Sequence, residues 1–252
     1  MTGLRRARPG MGTLVELGVG LRSRAGAAPA WALAALDAGW RAVARVEAAM
    51  SAFLPGSDVA RFNAAPAGAA LEVGAETAAV LRAAAALAAR TGGLFDPTCG
   101  TGPRGWALRG RVLEKREAGA CLDLGGIAKG HAVDRAVAAM AAALRRRGRP
   151  VRCWANAGGD LRTCGVAVPV HLRDEDGGGA RPWLLLREGA VATSDFAASP
   201  GRLAGGAARA RRVSVVARRC LDCDALTKVV GLSGDAAHPA VRARGGRAWI
   251  HA

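Results

Sequence analysis

Apolar and polar positions alternate over residues 11–20, with Thr13, Val15, Leu17 and Val19 on one face, and predict a strand. From Ala30 to Met50 the period changes: Trp31, Leu33, Leu36, Trp40, Val43 and Val46 recur at helical spacing and predict a helix. Residues 75–90 predict a second helix, with Glu76 near its start and Arg90 at its end, as the helix macrodipole favours. Thr91-Gly92-Gly93 stops it. A third helix is expected over 127–147, ended by Gly148-Arg149-Pro150. Short strands are expected at 151–155, 166–172, 183–186 and 213–216, a last helix from Asp222 to Leu232, and a closing strand over Arg247–His251. Helices and strands intersperse without a regular βα alternation, and no internal repeat is visible. The pattern implies an α+β fold, mixed sheets flanked by helices, as a single domain over 1–252 with loop insertions at 173–182 and 197–210.

Composition narrows the function. No run of about 18 apolar residues exists, so no membrane span is expected. Met1-Thr2-Gly3-Leu4-Arg5-Arg6 carries no apolar signal core, and the expected location is cytoplasmic. The net charge is +16, yet only three of the 36 basic residues are lysine (Lys115, Lys129, Lys228), and tyrosine is absent. The arginines are scattered, with loose clusters at 145–149 and 209–212 and no interleaved aromatic platform, so the charge attracts anions in general and nucleic acid is not an expected partner. A nucleic-acid binder would show a steep salt dependence of DNA retention. Of the six cysteines, Cys220 and Cys223 make a lone CxxC pair; without a second pair at metal spacing they read as buried free thiols.

Five short stretches could carry chemistry. Asp123-Leu124-Gly125-Gly126-Ile127-Ala128-Lys129-Gly130-His131-Ala132-Val133-Asp134 runs an apolar entry into an acid, two glycines and a helix start. Free backbone N–H groups there, with Lys129, would cradle a phosphate; the plainer alternative is a tight turn with a surface lysine. Asn156-Ala157-Gly158-Gly159-Asp160-Leu161-Arg162 follows a strand and is either a turn or a second wall of the same site. Gly92–Thr98 exposes Asp96 beside Pro97, and Ala192-Thr193-Ser194 follows an apolar run. Asp222-Cys223-Asp224-Ala225-Leu226-Thr227-Lys228 puts acids, a hydroxyl and an amine in one helical turn, either as helix caps or as oxygen ligands for Mg²⁺. Gly100-Thr101-Gly102-Pro103-Arg104-Gly105 matches GxGxxG, but no long helix opens after it, so the match is accidental.

Taken in order, these motifs resemble the ApbE family, the FAD:protein FMN transferases. The likeness begins at Met11-Gly12-Thr13, includes Met50–Asn63, and ends at Asp224–Lys228. It implies an α+β fold that binds FAD, uses Mg²⁺ and moves FMN onto a Ser or Thr hydroxyl of an acceptor flavoprotein, releasing AMP. By matching position it implies FAD contacts from Met11, Phe53, Leu94, Phe95, Asp96, Asp123 and Lys129. Gly158, Gly159, Asp160 and Thr193 would shape the flavin pocket. Gly126, Asp224 and Thr227 would hold the metal, and Asp224 and Lys228 would stand at the catalytic centre. Two departures are visible. Lys228 occupies the place of the family's threonine four residues after the acid, which would put an ammonium where the metal's charge sits. The family's histidine segment reads Asp195-Phe196-Ala197-Ala198-Ser199-Pro200-Gly201-Arg202, with no histidine before His238. The alternative these departures raise is an FAD-binding relative that has lost turnover.

Overall fold

The computed structural model describes residues 3–21, 27–173, 178–197 and 207–251. Its centre is a seven-stranded sheet, in the order β1 (Gly3–Gly10), β2 (Thr13–Gly20), β6 (Cys153–Ala157), β7 (Asp160–Cys164), β10 (Gly189–Asp195), β11 (Arg212–Ala217) and β12 (Arg247–His251). Every pairing in it is antiparallel. A three-stranded sheet is formed by β3 (Ala70–Glu72), β5 (Val112–Lys115) and β4 (Trp106–Arg109), and a two-stranded hairpin by β8 (Val168–Arg173) and β9 (Ala180–Leu186). The expected fold class is the one observed.

The helices are α1 (Ala30–Met50), α2 (Asp58–Ala64), α3 (Ala75–Arg90), α4 (Ala128–Arg145), α5 (Cys220–Ser233) and the short α6 (Pro239–Arg242). The expected periodicities hold where one face is buried. Val15, Leu17 and Val19 of β2 point into the core, and α1 buries Leu36, Val43 and Val46 against it. Gly39 makes this approach possible, since a Cβ there would meet Leu17 Cδ1 at 2.8 Å and Met140 Cγ of α4 at 3.0 Å. Trp31 and Trp40 are only half-buried; Arg149 and Arg8 cover their rings at 5.2 and 4.9 Å. The other face of the sheet carries a second, smaller apolar cluster, where Leu161 and Val191 meet Leu186 and Trp183 of the β8–β9 hairpin.

Several elements lie where the pattern gave no sign of them. The strand expected at 11–20 begins only at Thr13, because Met11 (φ 55°) and Gly12 (φ 70°) form the turn of a hairpin with β1. β1 is an edge strand built on arginines and Pro9, which lacks the alternation of a buried strand. β7 falls where the sequence suggests a turn or a second wall of the site, because the two glycines before Asp160 mask a hairpin. The GxGxxG stretch leads into β4 rather than a helix, so it is no dinucleotide loop. Of the two expected insertions, residues 174–177 and 198–206 lie outside the described residues, as does the Ala198–Arg202 part of the segment without histidine.

Candidate functional site

The start of α4 and the first turns of α5 run into one another, and a glycine lets them. A Cβ on Gly130 would meet Cys220 O at 2.3 Å and Asp224 Cβ at 2.9 Å. The contact delivers Asp224, fully buried at 0% exposure, to the N-terminus of α4, where its Oδ2 accepts the Gly130 N–H at 3.1 Å. The anion expected at this helix start is thus a carboxylate of the protein itself. Lys129 stretches over it: its Nζ donates to Gly125 O at 2.8 Å and lies 3.6 Å from Asp224 Oδ2 and 3.5 Å from Asp160 Oδ2.

Asp160 enters from the β6–β7 turn, buried, and among the described residues its Oδ2 receives no hydrogen bond. Lys228, one turn on from Asp224, donates to Asp224 Oδ1, to Asp224 O at 3.1 Å and to Ser194 Oγ at 3.2 Å. Its stem crosses Gly126, where a Cβ would stand 3.2 Å from Lys228 Cε. The Thr227 hydroxyl donates to Asp224 O at 2.7 Å and shares a 2.6 Å hydrogen bond with Ser194 Oγ. Six of the expected residues therefore converge: Gly126, Lys129, Asp160, Asp224, Thr227 and Lys228.

The other expected residues lie at varied depth. The Gly158-Gly159 turn packs on two neighbours: a Cβ on Gly158 would stand 2.7 Å from Thr13 Oγ1, and Gly159 O accepts the Thr193 N–H at 3.2 Å. Met11 is fixed by its N–H on Glu47 Oε1 at 2.7 Å. Asp123 caps its own turn, accepting Gly125 N–H at 2.8 Å, and its N–H joins the 92–98 loop at Pro97 O, 2.7 Å away. Within that loop the Asp96 carboxylate is used locally, on Thr98 and the Gly100 N–H. Phe95 is a core side chain at 5% exposure and Leu94 is partly buried beside it. Phe53, by contrast, holds its ring in solvent at 93% exposure. A groove of about 1030 Å³ under the β8–β9 hairpin reaches Gly158, Gly159 and Thr193, and its walls carry Arg5, Arg173 and Arg212.

Electrostatics separate the two acids. Burial works against the Asp224 carboxylate, but Lys129 and Lys228 outweigh it and hold it below the ordinary carboxylate range. Burial and the neighbouring Asp224 charge push Asp160 up to about 7, with Lys129 and Lys228 only partly offsetting them. Burial also opposes the charge on Lys129, yet Asp224 and Asp160 prevail and raise it, so its ammonium persists. Cys220 and Cys223 are free, and burial pushes both thiols well up, which makes them inert packing residues as expected.

Some functional neighbours were not read from the sequence. Asp134, at the end of the first motif, accepts the Cys220 and Leu221 N–H groups at 2.9 and 3.0 Å and so caps α5 from another helix. Ser194 joins Lys228 to Thr227, and Ser214 links Thr193 to His251 Nε2 at 2.7 and 2.9 Å. Ser194 closes the Ala192-Thr193-Ser194 stretch, whose sequence carries no sign of these partners. His131, within the motif, is bound to Glu76 Oε2 at 2.6 Å on α3.

Comparison with known proteins bears on the family and the fold. The sequence pattern of the ApbE family matches residues 11–111 and 101–196. None of the curated proteins matches the chain. Among solved structures, the ApbE protein from Thermotoga maritima superimposes with a TM-score of 0.81 at 20% identity, covering 99% of this chain and 94% of that one. A His-to-Gly variant of the flavin transferase ApbE from Vibrio cholerae gives 0.76 at 20% identity, over 99% and 93%. The apo flavinyl transferase ApbE from Pseudomonas stutzeri gives 0.72 at 20% identity, over 92% and 84%.

Proposed function

The chain belongs to the ApbE family, and from that premise we propose that it is a flavin transferase that takes FMN from FAD and joins it to a Ser or Thr hydroxyl of an acceptor flavoprotein. The observation that carries the reading is the pair of ammonium groups, Lys129 and Lys228, converging on one buried carboxylate at a helix N-terminus. A pyrophosphate is a dense anion, and its cleavage requires fixed positive charge where negative charge gathers on the phosphate oxygens. In the proposed reaction the acceptor's hydroxyl oxygen attacks the phosphorus on the FMN side. A new P–O bond forms as the bond to the AMP oxygen breaks, AMP leaves, and the hydroxyl proton passes to a base. Asp160, raised to about 7, has the proton affinity of such a base near neutral pH, whereas His131 is committed to Glu76. The exposed Phe53 ring offers a stacking surface to a flavin or adenine. The groove that reaches Gly158, Gly159 and Thr193 is walled by none of Gly126, Lys129, Asp160, Asp224, Thr227 and Lys228, so the reading rests on the charge cluster and not on that cavity.

The family likeness also implies Mg²⁺ held by Gly126, Asp224 and Thr227. The residues present do not fit it. Mg²⁺ needs near-octahedral oxygen ligands at about 2.1 Å, and the Asp224 oxygens and Thr227 hydroxyl are already engaged by Lys228, Lys129, Gly130 and Ser194. Among the described residues, no group of three or more His, Cys, Asp or Glu side chains is arranged to hold a metal. No step of the reaction is routed through it.

A second reading, an FAD binder without turnover, is favoured by one observation: Lys228 has acceptors within the protein for all three of its N–H groups. Chromatography of nucleotides after incubation with FAD and a cell extract that supplies acceptor hydroxyls separates the two. AMP appearing with the parent chain and vanishing with Lys129→Ala supports the transferase; FAD retained intact on the parent chain supports the binder.

A further inference from the structure

We propose that Lys228 is a built-in replacement for a divalent cation, so that this site neutralises its anionic ligand without a metal ion. That the ligand is a pyrophosphate rests on the flavin reading; the replacement itself rests on the geometry of the cluster. Asp224 is the buried carboxylate at its centre, and each of its own oxygens is spoken for. Oδ1 accepts from Lys228, Oδ2 accepts from Gly130 N–H and lies by Lys129, and the main-chain oxygen accepts from both Lys228 and Thr227.

The lysine is not a bystander that happens to be near. Its stem passes over Gly126 with no side chain in the way, and its ammonium bridges Asp224 on α5 to Ser194 on β10. The lysine makes this join by hydrogen bonds from a side chain anchored on α5. Two ammonium groups facing two carboxylates leave the cluster near charge balance with Asp160 ionised, and one charge positive with Asp160 protonated. Adding a 2+ ion would place it against two fixed like charges and would require Lys228 to leave. The side chains of Lys129 and Lys228 are 24% and 17% exposed, so neither is sealed from solvent.

The test titrates Mn²⁺ into the flavin-free protein and follows the free-ion electron paramagnetic resonance signal, for the parent chain and for Lys228→Thr. The parent is expected to leave Mn²⁺ free, and the variant to bind it at least about tenfold more tightly. Stoichiometric Mn²⁺ binding by the parent overturns the proposal, and so does a folded Lys228→Thr chain that gains no affinity. A parallel arm measures FAD affinity of the parent by flavin fluorescence, in chelator and in Mg²⁺. Equal affinity supports the proposal, and affinity lost in chelator and restored by Mg²⁺ overturns it. FAD bound in neither condition sinks the flavin reading instead, and the Mn²⁺ titration then decides the proposal alone. Both parent measurements stand even if the variant fails to fold.

Discussion

At the scale of single residues, the site depends on positions where a side chain is missing as much as on those where one is present. Gly130→Ala would drive a methyl into Cys220 O and Asp224 Cβ. The expected cost is about 3 kcal/mol of stability, because neither neighbour is a flexible side-chain end; chemical denaturation checks it, and an unchanged midpoint would mean the helices can separate freely. Asp160 makes a prediction of the opposite kind. Its native pKa, about 7, lies above the ordinary carboxyl value, so the native state binds its proton more tightly than the unfolded chain does. The stability this contributes is complete below the unfolded value of about 4 and is lost as pH rises through about 7. Asp160→Asn, which mimics the protonated form, should match the parent near about pH 3 and exceed it near about pH 8, by a margin on the order of 1–3 kcal/mol. Melting temperatures at the two values test this, and a constant difference would refute the shift. Neither property is written in the sequence pattern. Asp160 followed two glycines and read as turn or wall; its burial arises only when β7 pairs with β10 and sets it against Asp224 and Lys129.

Among elements, the pairing of α4 with α5 is what assembles the centre. Both helices were legible from apolar spacing, α4 to within two residues at its end and α5 to within two at its start. Their relation was not, because it is carried by Asp134. That residue spends its carboxylate on the first two N–H groups of α5 and on Arg162 Nη1 at 2.6 Å. Asp134→Ala leaves that helix start and Arg162 without their partner, and should cost about 2–4 kcal/mol. It should also loosen the grip on Asp224, so FAD affinity falls together with stability. Fluorescence-monitored unfolding and flavin titration read the two effects, and a loss of affinity with full stability would show Asp134 acting on the ligand directly. The missed strands have a common cause. β1 is an arginine-rich edge, β4 and β5 are four residues long, and β7 sits behind glycines; none shows a long two-residue period with one face buried.

On the scale of the whole molecule, the seven-stranded sheet divides the work between its faces. One packs on α1, α4 and α5 around the main core, and the other supports the β8–β9 hairpin and its groove. The tips of β1–β2 and β6–β7 and the end of β10 meet where the groove reaches Gly158, Gly159 and Thr193. The order of motifs along the chain announced the family, since each short stretch lies at such a junction. It did not announce that Phe95 would be core or that Asp96 would serve its own loop. Those outcomes depend on which atoms are neighbours in space. The central claim is covalent flavin transfer, and it has a direct readout. An extract of the native cells, incubated with FAD and the purified chain, is denatured and resolved on a gel, and protein-bound flavin fluorescence is recorded. A fluorescent band that forms with the parent chain and fails to form with Lys129→Ala is the predicted result. No band from the parent, in an extract where an active flavin transferase added as a control produces one, would contradict it.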